Sequence, residues 1–304
     1  MSDQPYYVPA SSKFPFAMAL TMLTLIIGAA TTVNSIGTNS NAYLILIAGF
    51  LMMWTTMFFW FSKVIEENDS GLNNSMLNDS YVYGMAWFIF SEVMFFFAFF
   101  GALFYIRTFS VPWLGGEGEK GIANILWEGF EAHWPLVVTP DQALFKGPEE
   151  EMSFSTAYSQ GGLAGVLGWI PLWNTLCLLT SSVTIHIAHL NLKNNNRPKF
   201  HLWLGITLIL GYAFVALQIT EYYEAYSHMG LTLNTGVYGT TFFMLTGFHG
   251  FHVCLGAVIL TIMLVRGLRG HFKPEDHFGF EAGSWYWHFV DVVWICLVAF
   301  VYVM

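Results

Sequence analysis

Charge is what this sequence has least of. Only 10% of its 304 residues are Asp, Glu, Lys or Arg, where soluble domains carry about 25%. Composition therefore places the chain among membrane proteins before any motif is read. Basic residues are the scarcer sign, 11 against 20 acidic ones, for a formal net charge of −9. That balance argues against nucleic acid as a partner, since such binding wants basic patches. Cysteine is also scarce: Cys177, Cys254 and Cys296 lie far apart in apolar runs. Without a CxxC or CxxxC pair they cannot build a zinc ribbon or a thiolate copper site. They read as small apolar fillers. The opening MSDQPYYVPASSKFPF has one lysine and leads into an apolar segment too long for a secretory signal, so it is read as retained.

What is present in quantity is apolar and aromatic: 55% hydrophobic residues, with 29 Phe, 14 Met and 12 Trp. A helix crossing about 30 Å of hydrocarbon needs roughly 20 such residues. No charge falls between Lys13 and Lys63, and NSIGTNSN (34–41) divides that stretch into spans at 14–33 and 42–62. Further spans are expected at 83–106, 163–189, 202–226, 237–265 and 283–303. The fold class is thus all-α and polytopic, with seven transmembrane helices. Long continuous runs, rather than two-residue alternation, exclude a β-barrel.

Basic residues set the direction. Lys13, Lys63, Lys193, Arg197, Lys199, Arg266, Arg269 and Lys273 share one side; Arg107, Lys120 and Lys146 lie opposite, in one long acidic loop. The N-terminus is therefore expected in the cytoplasm and the C-terminus, Tyr302-Val303-Met304, outside. The chain divides into a tail with helices 1–2 (1–62), a cytoplasmic linker (63–82) and a five-helix bundle (83–304) carrying a periplasmic loop at 107–162. That loop is read as a solvated cover over helix ends; its acids alternatively offer a negative surface to a basic soluble partner.

Polar residues inside spans are the candidate functional groups. Glu92 lies about nine residues into the third span, roughly 13 Å deep at 1.5 Å per residue. An ionised group at a helix centre costs about 2.5–3.5 kcal/mol on insertion scales, so a protonated or paired carboxyl is expected. Its role is either proton-related or a structural hydrogen bond to a neighbouring helix or subunit. Glu221 and Glu224 in ITEYYEA share a helix face near the outer end, where water and tyrosines can satisfy them. In the seventh span, His288 and Asp291 stand three apart and are read as a self-satisfying hydrogen-bonded pair. FHGFHV (248–253) sets His249 and His252 one turn apart in a stretch with no charge from 225 to 265. With His186, His189 and His288 these imidazoles could form a redox centre, or simply pack; spacing alone does not demand a centre.

Five stretches carry a resemblance: GMAWFIFSEVMFF (84–96), PLWNTLCLLTSSVTIHIAH (171–189), TEYYEA (220–225), GVYGTTFFMLTGFHGFHVCLG (236–256) and HFGFEAGSWYWHFVDVVW (277–294). From Tyr81 onward the chain resembles subunit III of the aa3-type haem–copper cytochrome c oxidases. The resemblance implies two bundles, helices 1–2 and 3–7, separated by a V-shaped lipid-binding cleft. It implies an accessory subunit that docks on subunit I alongside subunit II, sustains proton uptake and limits turnover inactivation. Haem a and copper would sit in those partners, cytochrome c would be the complex's electron donor, and this chain would bind structural phospholipids but no metal and no catalytic group. Glu92 matches the family's carbodiimide-reactive glutamate; Arg266, His271 and His277 match basic positions near lipid headgroups; His249 and His252 become family markers. The chain departs from the family at WFSKVIEE (60–67) and GLNN (71–74), where an arginine and a histidine pair are missing and Lys63 is the partial substitute. Two competing classes remain at this point: an independent proton-coupled transporter, motivated by Glu92, Glu221 and Asp291, and a haem-binding membrane enzyme.

Overall fold

The computed structural model describes residues 7–8, 11–37, 41–73, 75–118 and 122–303. Asn74, Lys120 and Met304, which figure in the expectations above, lie outside the described residues. Among the described residues all regular structure is helical, and seven helical stretches are long and apolar enough to cross a membrane. The elements are α1 (Phe14–Asn34), α2 (Tyr43–Asp69), α3 (Ser75–Tyr105), α4 (Val111–Leu114), α5 (Ala123–Leu126), α6 (Phe154–Gly168), α7 (Ile170–Lys193), α8 (Arg197–Ser227), α9 (Gly236–Leu268) and α10 (Phe278–Leu297). Widened π-helical turns extend α3 through Ile106–Ser110 and α10 through Val298–Val303.

Spans run past the apolar windows that announce them. A helix keeps its backbone hydrogen bonds by continuing into the headgroup region, whatever its side chains. Thus α2 continues to Asp69 and α3 begins at Ser75, leaving a short turn at Gly71 (φ +73) where a linker over 63–82 is expected. The fourth span, expected over 163–189, is a broken one. Gly162 takes a positive φ of 55° inside α6, Trp169 is extended, and Pro171 opens α7 where its missing N–H costs nothing. The segment expected as loop from 107 to 162 therefore contains α4, α5 and the start of α6.

The chain forms two compact units, Met1–Gly84 and Met85–Met304. In the first, α1 and α2 pair antiparallel. A Cβ at Gly28 would lie 2.6 Å from the Leu46 backbone, and one at Gly49 would lie 3.0 Å from Leu25. Small residues let the two backbones approach, as helix pairs in lipid require. Outward, Phe16, Ile26 and Phe58 are largely exposed, as suits contact with lipid or a partner.

The second unit is built around Trp287 of α10. Its indole is fully buried and fits where α8 and α9 have no side chain: a Cβ at Gly211 or Gly256 would come within 2.7 or 2.9 Å of the ring. Its Nε1–H donates to Ser181 Oγ of α7 at 2.9 Å. Hydroxyl pairs join further helices, Thr184 to Thr207 at 2.8 Å and Tyr222 to Thr246 at 2.7 Å. The acidic loop packs onto this unit: Leu136 and Met152 are buried, and the Met152 N–H donates to Tyr238 Oη at 3.1 Å.

Candidate functional site

Three of the acids expected inside spans, Glu92, Glu221 and Asp291, sit in polar clusters of the second unit, each joining helices that the sequence alone does not relate. The most informative is at Glu92. Its Oε2 lies 2.7 Å from His252 Nε2 of α9, and the other ring nitrogen, Nδ1, lies 2.6 Å from the Phe248 carbonyl. A carbonyl only accepts, so Nδ1 carries a proton. The contact at Nε2 then needs one more: either Glu92 is protonated and donates, or His252 is an imidazolium and donates to the carboxylate. In both arrangements one proton lies in the Nε2–Oε2 contact and satisfies both groups. Phe95 and Phe96 of α3 flank the imidazole, with ring centroids 6.0 and 5.1 Å away, while Tyr286 stacks at 6.5 Å. The Glu92 side chain keeps 23% exposure and His252 only 8%, so the proton sits at the edge of the bundle, behind phenyl rings.

His249, one turn away, belongs to a different environment. Its Nε2 lies 3.2 Å from the Val290 carbonyl, to which it donates, and its ring packs between Phe214 and Trp294 at 5.7 and 5.2 Å. The two markers in FHGFHV thus face different helices and do not converge on one point. This is a helix face in use on two sides, and it supplies no paired ligand set.

The His288–Asp291 pair forms differently from the expectation. The direct His288 Nδ1 to Asp291 Oδ2 separation is 3.9 Å, too long for a hydrogen bond. Ser182 of α7 stands between them: its hydroxyl donates to Asp291 Oδ2 and accepts from His288 Nδ1 at 2.9 Å. Spacing three apart puts the two side chains on one face, but their side chains diverge enough to admit a third group. Ser182 had no signal in the sequence beyond its place in an apolar run.

Glu221 and Glu224 separate altogether. Glu221 is fully buried, accepts from Tyr302 Oη at 2.5 Å and from Asn174 Nδ2 at 3.3 Å, and so ties α8 to α7 and to the end of α10. Glu224 is exposed and lines a cavity of about 700 Å³ with Glu150, Glu151 and His228. One turn of helix is enough to move a carboxylate from the core to the surface.

The headgroup candidates are spread. Lys63 is half-exposed on α2 and pairs with Glu66 at 3.1 Å. Arg266, in the last turn of α9, lies over the Phe272 ring at 5.0 Å, and His271 follows it in the next loop. His277 turns toward α7 instead: its Nδ1 donates to the Lys273 carbonyl at 3.2 Å and its ring lies 5.3 Å from that of His189. In the GLNN segment, Asn73 Nδ2 donates to Asn68 Oδ1 at 2.5 Å.

Seven hydrophobic spans, a Trp-centred bundle and acids set against histidine, serine and tyrosine define a polytopic helical-bundle membrane protein. The family model described as cytochrome c oxidase subunit III matches residues 4–120 and 153–304. The chain belongs to that family. It is 36% identical to cytochrome c oxidase subunit 3 of Papio hamadryas over 299 residues, covering 98% of this chain and 96% of the relative. It is likewise 36% identical to the Homo sapiens protein of that name over 299 residues, with the same coverage, and 37% identical to that of Equus caballus over 298. The unmatched stretch, 121–152, falls within the acidic segment between α4 and α6.

Proposed function

We propose that the chain is the accessory subunit III of a proton-pumping cytochrome c oxidase of aa3 type, in the cytoplasmic membrane of a bacterium. Its N-terminus faces the cytoplasm and its C-terminus the periplasm, following the distribution of Lys and Arg. It docks on subunit I, next to subunit II, and those partners carry haem a and copper and pass electrons from cytochrome c to oxygen. Its own part is to stabilise subunit I, to support proton uptake and to limit inactivation during turnover. Phospholipids are structural components, with Arg266 and His271 on the inner side as headgroup contacts and Lys63 as a further cation on that side.

The observation that carries this reading is the Glu92–His252 pair. A transporter site would be expected where helices break at the midplane; here α3 and α9 run unbroken through the pair. The pair instead sets Glu92 Oε2 and His252 Nε2 2.7 Å apart, close enough to share a proton at the bundle's rim, where a neighbouring subunit's proton pathway can be biased electrostatically. Low dielectric makes such a charge felt more strongly than in water.

Glu92→Gln tests the reading. The amide keeps the shape and can donate to a neutral His252 Nε2, so the hydrogen bond survives while the mobile proton is removed. Assembly is expected to stay intact and the number of turnovers before inactivation to fall severalfold, read by oxygen consumption in reconstituted vesicles. If turnover, pumping and inactivation lifetime all match the unsubstituted complex, a functional role for this carboxyl is withdrawn.

A further inference from the structure

At the inner ends of α7 and α10 stands a cluster apart from the groups around Glu92, Glu221 and Asp291, and it includes His277, one of the headgroup candidates. His189 lies near the last turn of α7, His277 immediately precedes α10, and Glu281 follows one turn into it. The spacing of 277 and 281 puts both on one side of the helix start, and α7 brings His189 against them. One potential ligand atom from each residue lies within 4.8 Å of the other two. His189 Nε2 and His277 Nε2 are both buried and have no hydrogen-bond partner. For His277 the reason is visible: Nδ1–H is committed to the Lys273 carbonyl, which leaves Nε2 as a bare, buried lone pair.

We infer that His189, His277 and Glu281 form a binding site for a divalent transition ion of zinc type. Two imidazole nitrogens and one carboxylate are a donor set that zinc accepts, with a fourth position left open. A second hydrogen bond from a ligating imidazole to a backbone carbonyl is the usual device for fixing its tautomer and orientation, and His277 has it. Tetrahedral bonding at about 2.1 Å needs ligand atoms about 3.4 Å apart; side-chain rotation at three partly buried residues covers the difference from 4.8 Å. The two Nε2 atoms do not hydrogen-bond to each other, since neither has a partner. Bound metal would staple the end of α7 to the start of α10 at the inner membrane surface, which is also the side from which protons are taken up in the proposed function.

The test uses the detergent-purified complex, stripped with chelator and dialysed against graded zinc, with zinc per complex counted by mass spectrometry. The unsubstituted complex is expected to take up one equivalent more than a His189→Asn, His277→Asn double variant, and Glu281→Gln to bind that equivalent at least tenfold more weakly. Zinc-edge absorption of the added equivalent should show two imidazoles and oxygen. Equal uptake at equal affinity in all three complexes overturns the site. If the double variant loses the subunit, Glu281→Gln and the absorption spectrum decide: unchanged affinity, or an edge without imidazole scattering, overturns it equally.

Discussion

Trp287→Ala is expected to cost the five-helix unit about 3–5 kcal/mol, the range for truncating a large buried aromatic. The magnitude follows from where the indole sits. It is fully buried, occupies the gap left by Gly211 and Gly256, and gives its only polar hydrogen to Ser181, so α7, α8, α9 and α10 all meet on it. Alanine leaves a void that two glycines cannot fill, because neither has a side chain to relax inward. Lipid tails do not substitute, since the void is enclosed. Thermal dissociation of the purified complex, followed by retention of this chain on a tagged partner, reads the loss directly: the subunit should leave at a markedly lower temperature. Gly256→Val should do the same by the opposite route, forcing methyl groups into the ring. Retention at the unsubstituted temperature in both variants would refute the packing described for this unit.

Glu221→Ala is the second large effect. Removing the carboxylate orphans the buried Tyr302 hydroxyl and takes from the Asn174 amide one of two acceptors, the other being Gln218; an unmet buried donor costs about 1–3 kcal/mol. The loss is local to the start of α7, the C-terminal part of α8 and the turns that end α10. Glu224→Ala, one turn away on the exposed side, is expected to leave stability unchanged, and Glu221→Gln to fall between, because it keeps one acceptor oxygen. The same thermal series separates the three. Equal destabilisation by the Glu221 and Glu224 alanine variants would show that burial does not distinguish them.

Both effects depend on relations between helices, and that is where the sequence was least legible. Seven spans could be read from hydrophobic run length, because the bilayer imposes one length on every crossing. Their ends could not, since backbone hydrogen bonding carries α2 and α3 past Lys63 and Tyr83 without an apolar signal. Glu92 announced itself as an acid that a membrane span does not carry without reason, but its partner stands 160 residues away, and helical periodicity reports only what shares a face on one helix. For the same reason His249 and His252 looked like a pair in sequence and serve different neighbours in space. The His288–Asp291 reading had the right residues and the wrong bond, because spacing fixes Cα positions and leaves a gap that Ser182 fills. The cluster of His189, His277 and Glu281 was hidden twice over: His189 lies on another helix, and His277 already had a role as a headgroup contact.

The most direct test of the central claim is the native mass of the complex recovered through an affinity tag on this chain, with its visible spectrum taken on the same sample. The account predicts one copy of the chain, together with larger haem- and copper-bearing partners and retained phospholipid, and loss of the haem absorption from the chain once it is separated from them. A chain that purifies alone and transports protons, or that keeps stoichiometric haem after separation, would contradict it.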